Sequence, residues 1–297
     1  MEPSLGEFFS LAAAVLWGCA VIFLKKSGET ISPFDLNIFR VGVSTPLLIL
    51  TVLLAGQELA PSAPAADYLI LFASGVIGIA ISDTLFHLGL NKMGAGIAAI
   101  VDSLYSPFVV LAALLMLGER LGGRQLAGMA LVVSGVLIAA RHDPPKGVTR
   151  RQIAVGVVCG VLAMATVAFG IVLAKPVLNR TPVLWATTMR QVGALAVMLP
   201  AALVSPHRRE TLALFRPTRG WKYSLPATLL GSYLALICWV AGMKYTLAGA
   251  AAILNQTSTI YVLLLATVFL REPLTLRKIA ASVVAIAGIV LITYNPA

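Results

Sequence analysis

Apolar runs of about twenty residues, separated by short polar or Pro- and Gly-bearing connections, recur along the whole chain and limit what it can fold into. A helix needs roughly 20 apolar residues to cross about 30 Å of hydrocarbon, and in lipid its backbone polar groups must be satisfied within the segment. Breaking the runs at Pro, Gly and charge clusters gives spans at 8–25, 33–55, 68–90, 96–117, 123–140, 152–174, 182–204, 222–244, 249–270 and 275–294. The fold class expected is an all-α membrane protein with ten transmembrane helices. Of its 297 residues 59% are apolar and only 11% charged, whereas a soluble domain carries about 25% charged residues. No soluble catalytic or nucleic-acid-binding domain fits beside ten spans, so the net charge of +10 reads as topology rather than as a nucleic-acid footprint.

The ten spans divide into two related units, 1–145 and 146–297, on either side of the basic segment RHDPPKGVTRRQ. A shift of 153 residues aligns GERLGGRQ (118–125) with REPLTLRK (271–278) and AGIAAIVD (95–102) with AGAAAILN (248–255). It also places Gly78, Gly89 and Gly135 on Gly231, Gly242 and Gly288. Nearer the start of each unit the offset is 149, matching Lys26 and Pro33 to Lys175 and Pro182, and Arg40 meets Arg190 one residue later. Five is an odd number of spans, so the second copy is expected to enter the membrane upside down, the inverted-repeat plan of secondary transporters.

Charge distribution gives an orientation. Fifteen of the 22 Lys and Arg residues fall in odd-numbered connections and five, Arg120, Arg124, Lys175, Arg180 and Lys244, in even ones, while Arg40 and Arg190 lie within spans. The positive-inside rule places the odd connections in the cytoplasm and both termini outside. The first nine residues, MEPSLGEFF, carry no Lys or Arg, so the first span is expected to persist rather than be cleaved as a signal peptide. Cys19, Cys159 and Cys238 stand singly in apolar stretches, without the paired spacing of metal or redox sites; neither metal nor cofactor is expected.

Ionisable groups inside hydrocarbon are costly and face a cavity or one another. Here they are Arg40, Asp83, His87, Asp102 and Arg190, joined by the amides Asn255 and Gln256. At 1.5 Å per residue, Arg40, Asp83 and Asp102 each lie roughly 10 Å from span ends on one face, so they share a depth, and His87 projects from the side of Asp83 one turn nearer that face. One reading is a proton-responsive or amine-binding centre in which a carboxylate trades a proton or a substrate ammonium against Arg40; the other is a buried ion pair that fixes packing. His87 could equally reach solvent. In the second unit Leu236, Val240 and Asn255 stand at the positions of Asp83, His87 and Asp102. Arg190 is therefore left with no acid in span 8 or 9 to neutralise it, which makes it a candidate contact for a substrate anion. Most aromatic residues in the spans serve packing, but Tyr105 and Phe108 lie within two turns of Asp102 and flank Pro107, where a missing donor lets the span bend. Small-residue pairs such as Gly156–Gly160 and Ala281–Ala285 permit close helix approach, within one chain or between protomers, so monomer and homodimer both fit.

The segment SPFVVLAALLMLGERL (106–121), Trp17-Gly18, Lys26, Arg40 and the second copy IYVLLLATVFLREPL (260–274) resemble the EamA family of the drug/metabolite transporter superfamily. The resemblance spans the chain and implies two inverted five-helix repeats around a central cavity. It implies that spans 3, 4, 8 and 9 line that cavity, with spans 1, 2, 6 and 7 contributing, taking in Asp83, Asp102, Tyr105, Tyr233, Trp239, Asn255 and Gln256. Ile260 where Pro107 stands and Arg271 where Gly118 stands depart from the first copy and argue against a matched bend in span 9. Family members are usually drawn with cytoplasmic termini, the reverse of the charge count.

The function expected is export of a small polar or zwitterionic metabolite, such as an amino acid, across the cytoplasmic membrane by alternating access, with a proton as candidate coupling ion. The candidate substrate or proton contacts are Asp83, Asp102, His87, Arg40, Arg190, Tyr105, Asn255, Gln256, Trp239 and Tyr233. An exchanger of phosphorylated or nucleotide-linked metabolites would need more cavity-facing cations. A structural or lipid-scrambling protein is the further alternative. An intramembrane enzyme is disfavoured: neither HExxH nor GxSxG occurs, and these carry the metal and nucleophile geometry such chemistry needs.

Overall fold

The computed structural model describes residues 5–117, 122–140, 149–245, 251 and 254–293. The Gly-Glu motif (118–119), residues 141–148 of the basic divider, and residues 246–250 and 252–253 around the AGAAAILN copy lie outside the described residues. Among the described residues the chain is helical and no strand occurs.

The first set of helices comprises α1 (Leu5–Ser27), α2 (Pro33–Leu54), α3 (Ala65–Gly75), α4 (Ser82–Met93), α5 (Ala95–Asp102), α6 (Tyr105–Leu117) and α7 (Gly123–Ala140). The second comprises α8 (Arg150–Leu178), α9 (Val183–Val204), the short α10 (Arg208–Ala213), α11 (Trp221–Ala227), α12 (Leu236–Tyr245), α13 (Ser258–Phe269) and α14 (Leu276–Thr293). Seven helical stretches are long and apolar enough to cross a membrane: Leu5–Ser27, Pro33–Leu54, Ala65–Met93, Ala95–Met116, Arg150–Leu178, Val183–Val204 and Trp221–Tyr245. The shorter apolar helices Gly123–Ala139 and Leu254–Phe269, with α14, occupy the positions expected for spans 5, 9 and 10. This is a multi-pass integral membrane protein.

Local signals set the helix starts. Ser32 caps α2, its Oγ accepting from Asp35 N at 3.2 Å with Pro33 at the first position, where no amide donor is needed. Thr149 and Gln152 form a reciprocal capping box at α8. Two spans pass through π-helical segments, Val76–Ile81 between α3 and α4 and Thr228–Ala235 between α11 and α12, at positions about 153 residues apart. Such widened turns re-aim side chains and recur at functional sites. Span 4 breaks outright: Ser103 and Leu104 form a turn between α5 and α6, and Pro107 sits in the first turn of α6, where its missing donor costs nothing.

Span 9 breaks too, against the expectation drawn from Ile260. Thr257 is a turn residue between helical residues 254–256 and α13, and its Oγ1 donates to Leu254 O at 2.5 Å. A hydroxyl competing for a backbone carbonyl marks here the bend that proline marks in span 4.

The most extensive interfaces each pair a helix of the first set with one of the second: α7 with α14, α4 with α8, α1 with α12 and α13, and α9 with α2 and α3. Lipid provides no hydrophobic drive for helix association, so small residues that admit close approach decide where helices cross. A Cβ on Gly135 would fall 2.7 Å from the Ala281 carbonyl oxygen and 3.0 Å from Ala285 Cβ; one on Gly288 would fall 2.6 Å from the Gly128 carbonyl oxygen. The two contacts are related by the 153-residue shift, which carries Gly135 to Gly288 and Gly128 to Ala281. Likewise Gly89 of α4 packs against Gly156 and Gly160 of α8, so both small-residue pairs singled out in the sequence are used within the chain. Among the described residues the three cysteines are free and no cluster of metal-ligating side chains occurs.

Candidate functional site

Between the two sets of helices lies a cavity of about 170 Å³. Its walls come from α1, α2, α4, α5, α6, α8, α9, α12, both π-helical segments and residues 255–258, with no lining residue from α7 or α14. Of the expected site residues it takes in Arg40, Asp83, Asp102, Tyr105, Arg190, Trp239, Asn255 and Gln256. His87 and Tyr233 are not among the lining residues.

Arg40 is 1% exposed and fully engaged at one end. Its Nη1 donates to Asp83 Oδ2 at 3.3 Å and to His87 Nε2 at 2.6 Å. A guanidinium has donors only, so His87 Nε2 is the acceptor and the ring proton sits on Nδ1, 3.4 Å from Pro33 O. His87 is 1% exposed and does not reach solvent; it stands behind Arg40 and, with Asp83, fixes its aim.

Arg190, its counterpart in the second unit, is equally buried but held from the other end. Its Nε donates to Ser74 Oγ at 2.9 Å, and Ser74 Oγ donates in turn to Gly170 O at 2.7 Å. The guanidinium carbon lies 5.6 Å from the centroid of the Trp239 ring, within cation–π range. Among the described residues Nη1 of Arg190 has no hydrogen-bond partner, whereas in Arg40 it is Nε that lacks one. Position 227, one shift of 153 from Ser74, is Ala227, so Arg40 has no equivalent hydroxyl. Each arginine also lies against the π-helical glycine of the opposite unit: a Cβ on Gly78 would come 3.3 Å from Arg190 Nη2, and one on Gly231 would come 3.7 Å from Arg40 Nη2.

The two acids differ as sharply. Asp83 is ion-paired with Arg40, its side chain 22% exposed. Asp102, at the C-terminal end of α5, has no ion-pair partner among the described residues; Trp17 Nε1 donates to its Oδ2 at 3.4 Å. Both acids therefore line one cavity as their shared depth implied, but only Asp83 meets Arg40.

The amides and aromatics form a scaffold around Arg190. Oriented by its neighbours, the Asn255 amide accepts from Trp239 Nε1 at 3.0 Å and donates to Ser10 O at 3.2 Å, which fixes the ring under Arg190. Tyr105 packs against Trp239 with centroids 6.1 Å apart, and its hydroxyl has no hydrogen-bond partner among the described residues. Gln256 Nε2 donates to Asp102 O at 3.4 Å, and its Oε1 has no partner among the described residues. Tyr233 turns away from the cavity: its hydroxyl lies 2.6 Å from Thr51 Oγ1, which itself donates to Leu47 O.

Sequence reasoning missed Gln191, whose Nε2 donates to Ser44 Oγ at 2.9 Å and Ser232 O at 3.1 Å while Oε1 stays unpartnered in the cavity wall. Its position beside Arg190 was the available signal. Ser74 carries none, because its role depends on a helix of the other unit. Outside the spans, Arg180 donates from Nε to Asp67 Oδ2 at 3.2 Å and from Nη2 to Oδ1, and this hydrogen bonding raises its pKa.

A model of the EamA-like transporter family matches the chain twice, over residues 4–141 and 154–294. An uncharacterised transporter of Archaeoglobus fulgidus is 22% identical over 93% of this chain and 94% of its own length. A probable terminal-alkyne amino-acid exporter of Streptantibioticus cattleyicolor is 24% identical over 98% of this chain and 94% of its own. A GDP-fucose transporter of Caenorhabditis elegans is 31% identical, over only 39% of this chain and 32% of its own. A solved crystal structure superimposes with a TM-score of 0.68 at 18% identity, covering 96% of this chain and 95% of that one, a likeness of fold.

Proposed function

The chain belongs to the EamA-like transporter family, and on that premise we propose that it exports a small zwitterionic metabolite of the amino-acid class across the cytoplasmic membrane by alternating access. The observation that carries this reading is the pair of unsatisfied, opposite-charge groups in one cavity: Arg190 with Nη1 unpartnered and Asp102 without an ion-pair partner among the described residues. Arg190 takes the substrate carboxylate and Asp102 its ammonium. A zwitterion supplies each buried charge with the partner it lacks, which is how charge is made tolerable away from water. Trp239, Tyr105 and Trp17 then pack against the rest of the substrate, while Asn255, Gln256 and Gln191 offer amides.

Arg40, Asp83 and His87 form a closed set, so among the described residues the cavity offers one free cation. That favours a carboxylate over the multiply charged phosphates of nucleotide-linked sugars. Asp102 also serves as the proton site: an acid that holds substrate ammonium in one state and a proton in the other couples the two fluxes. Residues 1–145 and 146–297 act as two inverted five-helix repeats that rock about the cavity, a reading supported by the paired contacts of Gly135 and Gly288 and of the two arginines with opposite π-helical glycines. The relative described as a probable amino-acid exporter supports the direction.

The test is counterflow in proteoliposomes holding the full-length protein, with a panel of labelled amino acids on one side and an imposed pH gradient. Accumulation of at least one amino acid that responds to the gradient, with Asp102→Asn retaining exchange but losing that response, is expected. Transport of none of the panel, or an unchanged response in Asp102→Asn, overturns the proposal.

A further inference from the structure

The connection between α9 and α11 is built differently from its counterpart between α2 and α3. Residues 55–64, AGQELAPSAP, carry one charged side chain, Glu58. Residues 205–222, SPHRRETLALFRPTRGWK, carry five cations, Arg208, Arg209, Arg216, Arg219 and Lys222, against one acid, Glu210. The equivalent connection of the first unit, which the charge count puts on the other face of the membrane, carries no cation; linking two helices therefore does not call for the cluster, and the positive-inside rule accounts for its side but not for its fixed placement.

Nor is the segment a loose loop. Thr211 Oγ1 donates to Asp35 Oδ1 at 2.7 Å, and Trp221 Nε1 donates to Leu214 O at 2.8 Å. Phe39 of α2 packs against Phe215 and Trp221, with ring centroids 5.5 and 5.8 Å away. These contacts pin α10 and the turn after it onto the end of α2. The five cations remain exposed and have no ion-pair partner among the described residues; Lys222 only overlies Tyr223, 4.7 Å from its ring centroid. Beside them Leu212 is 47% and Phe215 37% exposed. Unpaired cations and exposed apolar residues on a short, docked element next to a membrane span match the headgroup region of a bilayer.

We propose that residues 208–222 form a docking surface for anionic phospholipid headgroups, with Arg208, Arg209, Arg216 and Arg219 contacting lipid phosphate and Leu212 resting among the acyl-chain ends. Because α10 is pinned to α2, bound lipid bears on the end of the helix that carries Arg40. The inference is independent of what the cavity carries.

Native mass spectrometry of the full-length protein in mixed micelles of dioleoyl phosphatidylglycerol and dioleoyl phosphatidylcholine tests it. Each cation in direct contact with a bound anionic lipid contributes about fivefold to its retention. We expect the native protein to prefer phosphatidylglycerol, and R208Q/R209Q/R216Q/R219Q to lose at least about tenfold of that preference, while R151Q/K175Q keeps it. Should the quadruple variant fail to fold, raising KCl from about 50 to about 500 mM on the native protein must erode the preference through screening. No preference in the native protein, or one untouched by the substitutions or by salt, overturns the inference and leaves the cluster as a topology signal or a surface for an acidic polypeptide.

Discussion

Arg40 and Arg190 occupy matching positions and are equally buried, yet replacing each by Gln is expected to have opposite consequences. Arg40→Gln removes the partner of Asp83, 3.3 Å away, and the donor to His87 Nε2 at 2.6 Å. Breaking a buried pair from one side costs about 3–5 kcal/mol, and the 22% exposure of the Asp83 side chain puts the cost near the lower figure. Arg190→Gln removes a charge with no ion-pair partner among the described residues. The Ser74 hydrogen bond and the stacking on Trp239 are lost, roughly 1–3 kcal/mol together, but so is the desolvation penalty of an uncompensated charge, of comparable size or larger. The net change in stability is then within about 1 kcal/mol of zero.

Function should invert the order. A charge-assisted hydrogen bond from Arg190 to a substrate carboxylate contributes about 1.5–3 kcal/mol, so Arg190→Gln should raise the apparent Kd or KM about 10- to 150-fold. Thermal unfolding of both purified variants, followed by counterflow at matched protein load, gives the comparison. If Arg190→Gln lowered Tm as much as Arg40→Gln while leaving the apparent affinity for the transported amino acid unchanged, Arg190 would be a packing residue and the substrate assignment would be wrong.

Ser74→Ala should weaken apparent affinity by about tenfold, since it leaves Arg190 Nε unaimed, and Ser74→Thr should recover part of it; transport kinetics check both. Gly135→Val and Gly288→Val each drive a side chain into backbone 2.7 and 2.6 Å from the Cβ position, so each should cost about 1–3 kcal/mol, visible in thermal melts as a drop of similar size for the two sites. Thr211→Val removes the bond to Asp35, about 1 kcal/mol, and should speed tryptic cleavage at Arg208 and Arg209 without altering affinity for substrate; a digestion time course on the reconstituted protein measures it.

The membrane class and the placement of the spans were legible because both rest on length and hydrophobicity, properties each segment carries alone. The asymmetry of charge was legible as well: Leu236 and Val240 at the positions of Asp83 and His87 already said that one arginine would be served and the other not. Contacts between units were harder to read. Periodicity within a helix cannot say that Ser74 of α3 reaches Arg190 of α9, that Asn255 turns Trp239 beneath it, or that Tyr233 faces Thr51 instead of the cavity. The bend at Thr257 is hidden for a related reason: no proline marks it, and a hydroxyl that bonds its own backbone serves there.

The contacts that hold the two arginines bear on mechanism. The sequence shift compares each residue with its equivalent, but the groups that hold the two arginines are not equivalents: Asp83 and His87 hold Arg40 from its own unit, while Ser74 reaches Arg190 from the other. Asp83 and His87 occupy Nη1 of Arg40 while Ala227 leaves its Nε unserved; Ser74 occupies Nε of Arg190 while Nη1 stays unserved. On the proposed reading the two equivalent cations take opposite tasks, one bound within the wall and one available to a ligand. A binding site needs its charge unsatisfied until the ligand arrives, and Arg190, with Nη1 unserved among the described residues, is the cation that meets that requirement.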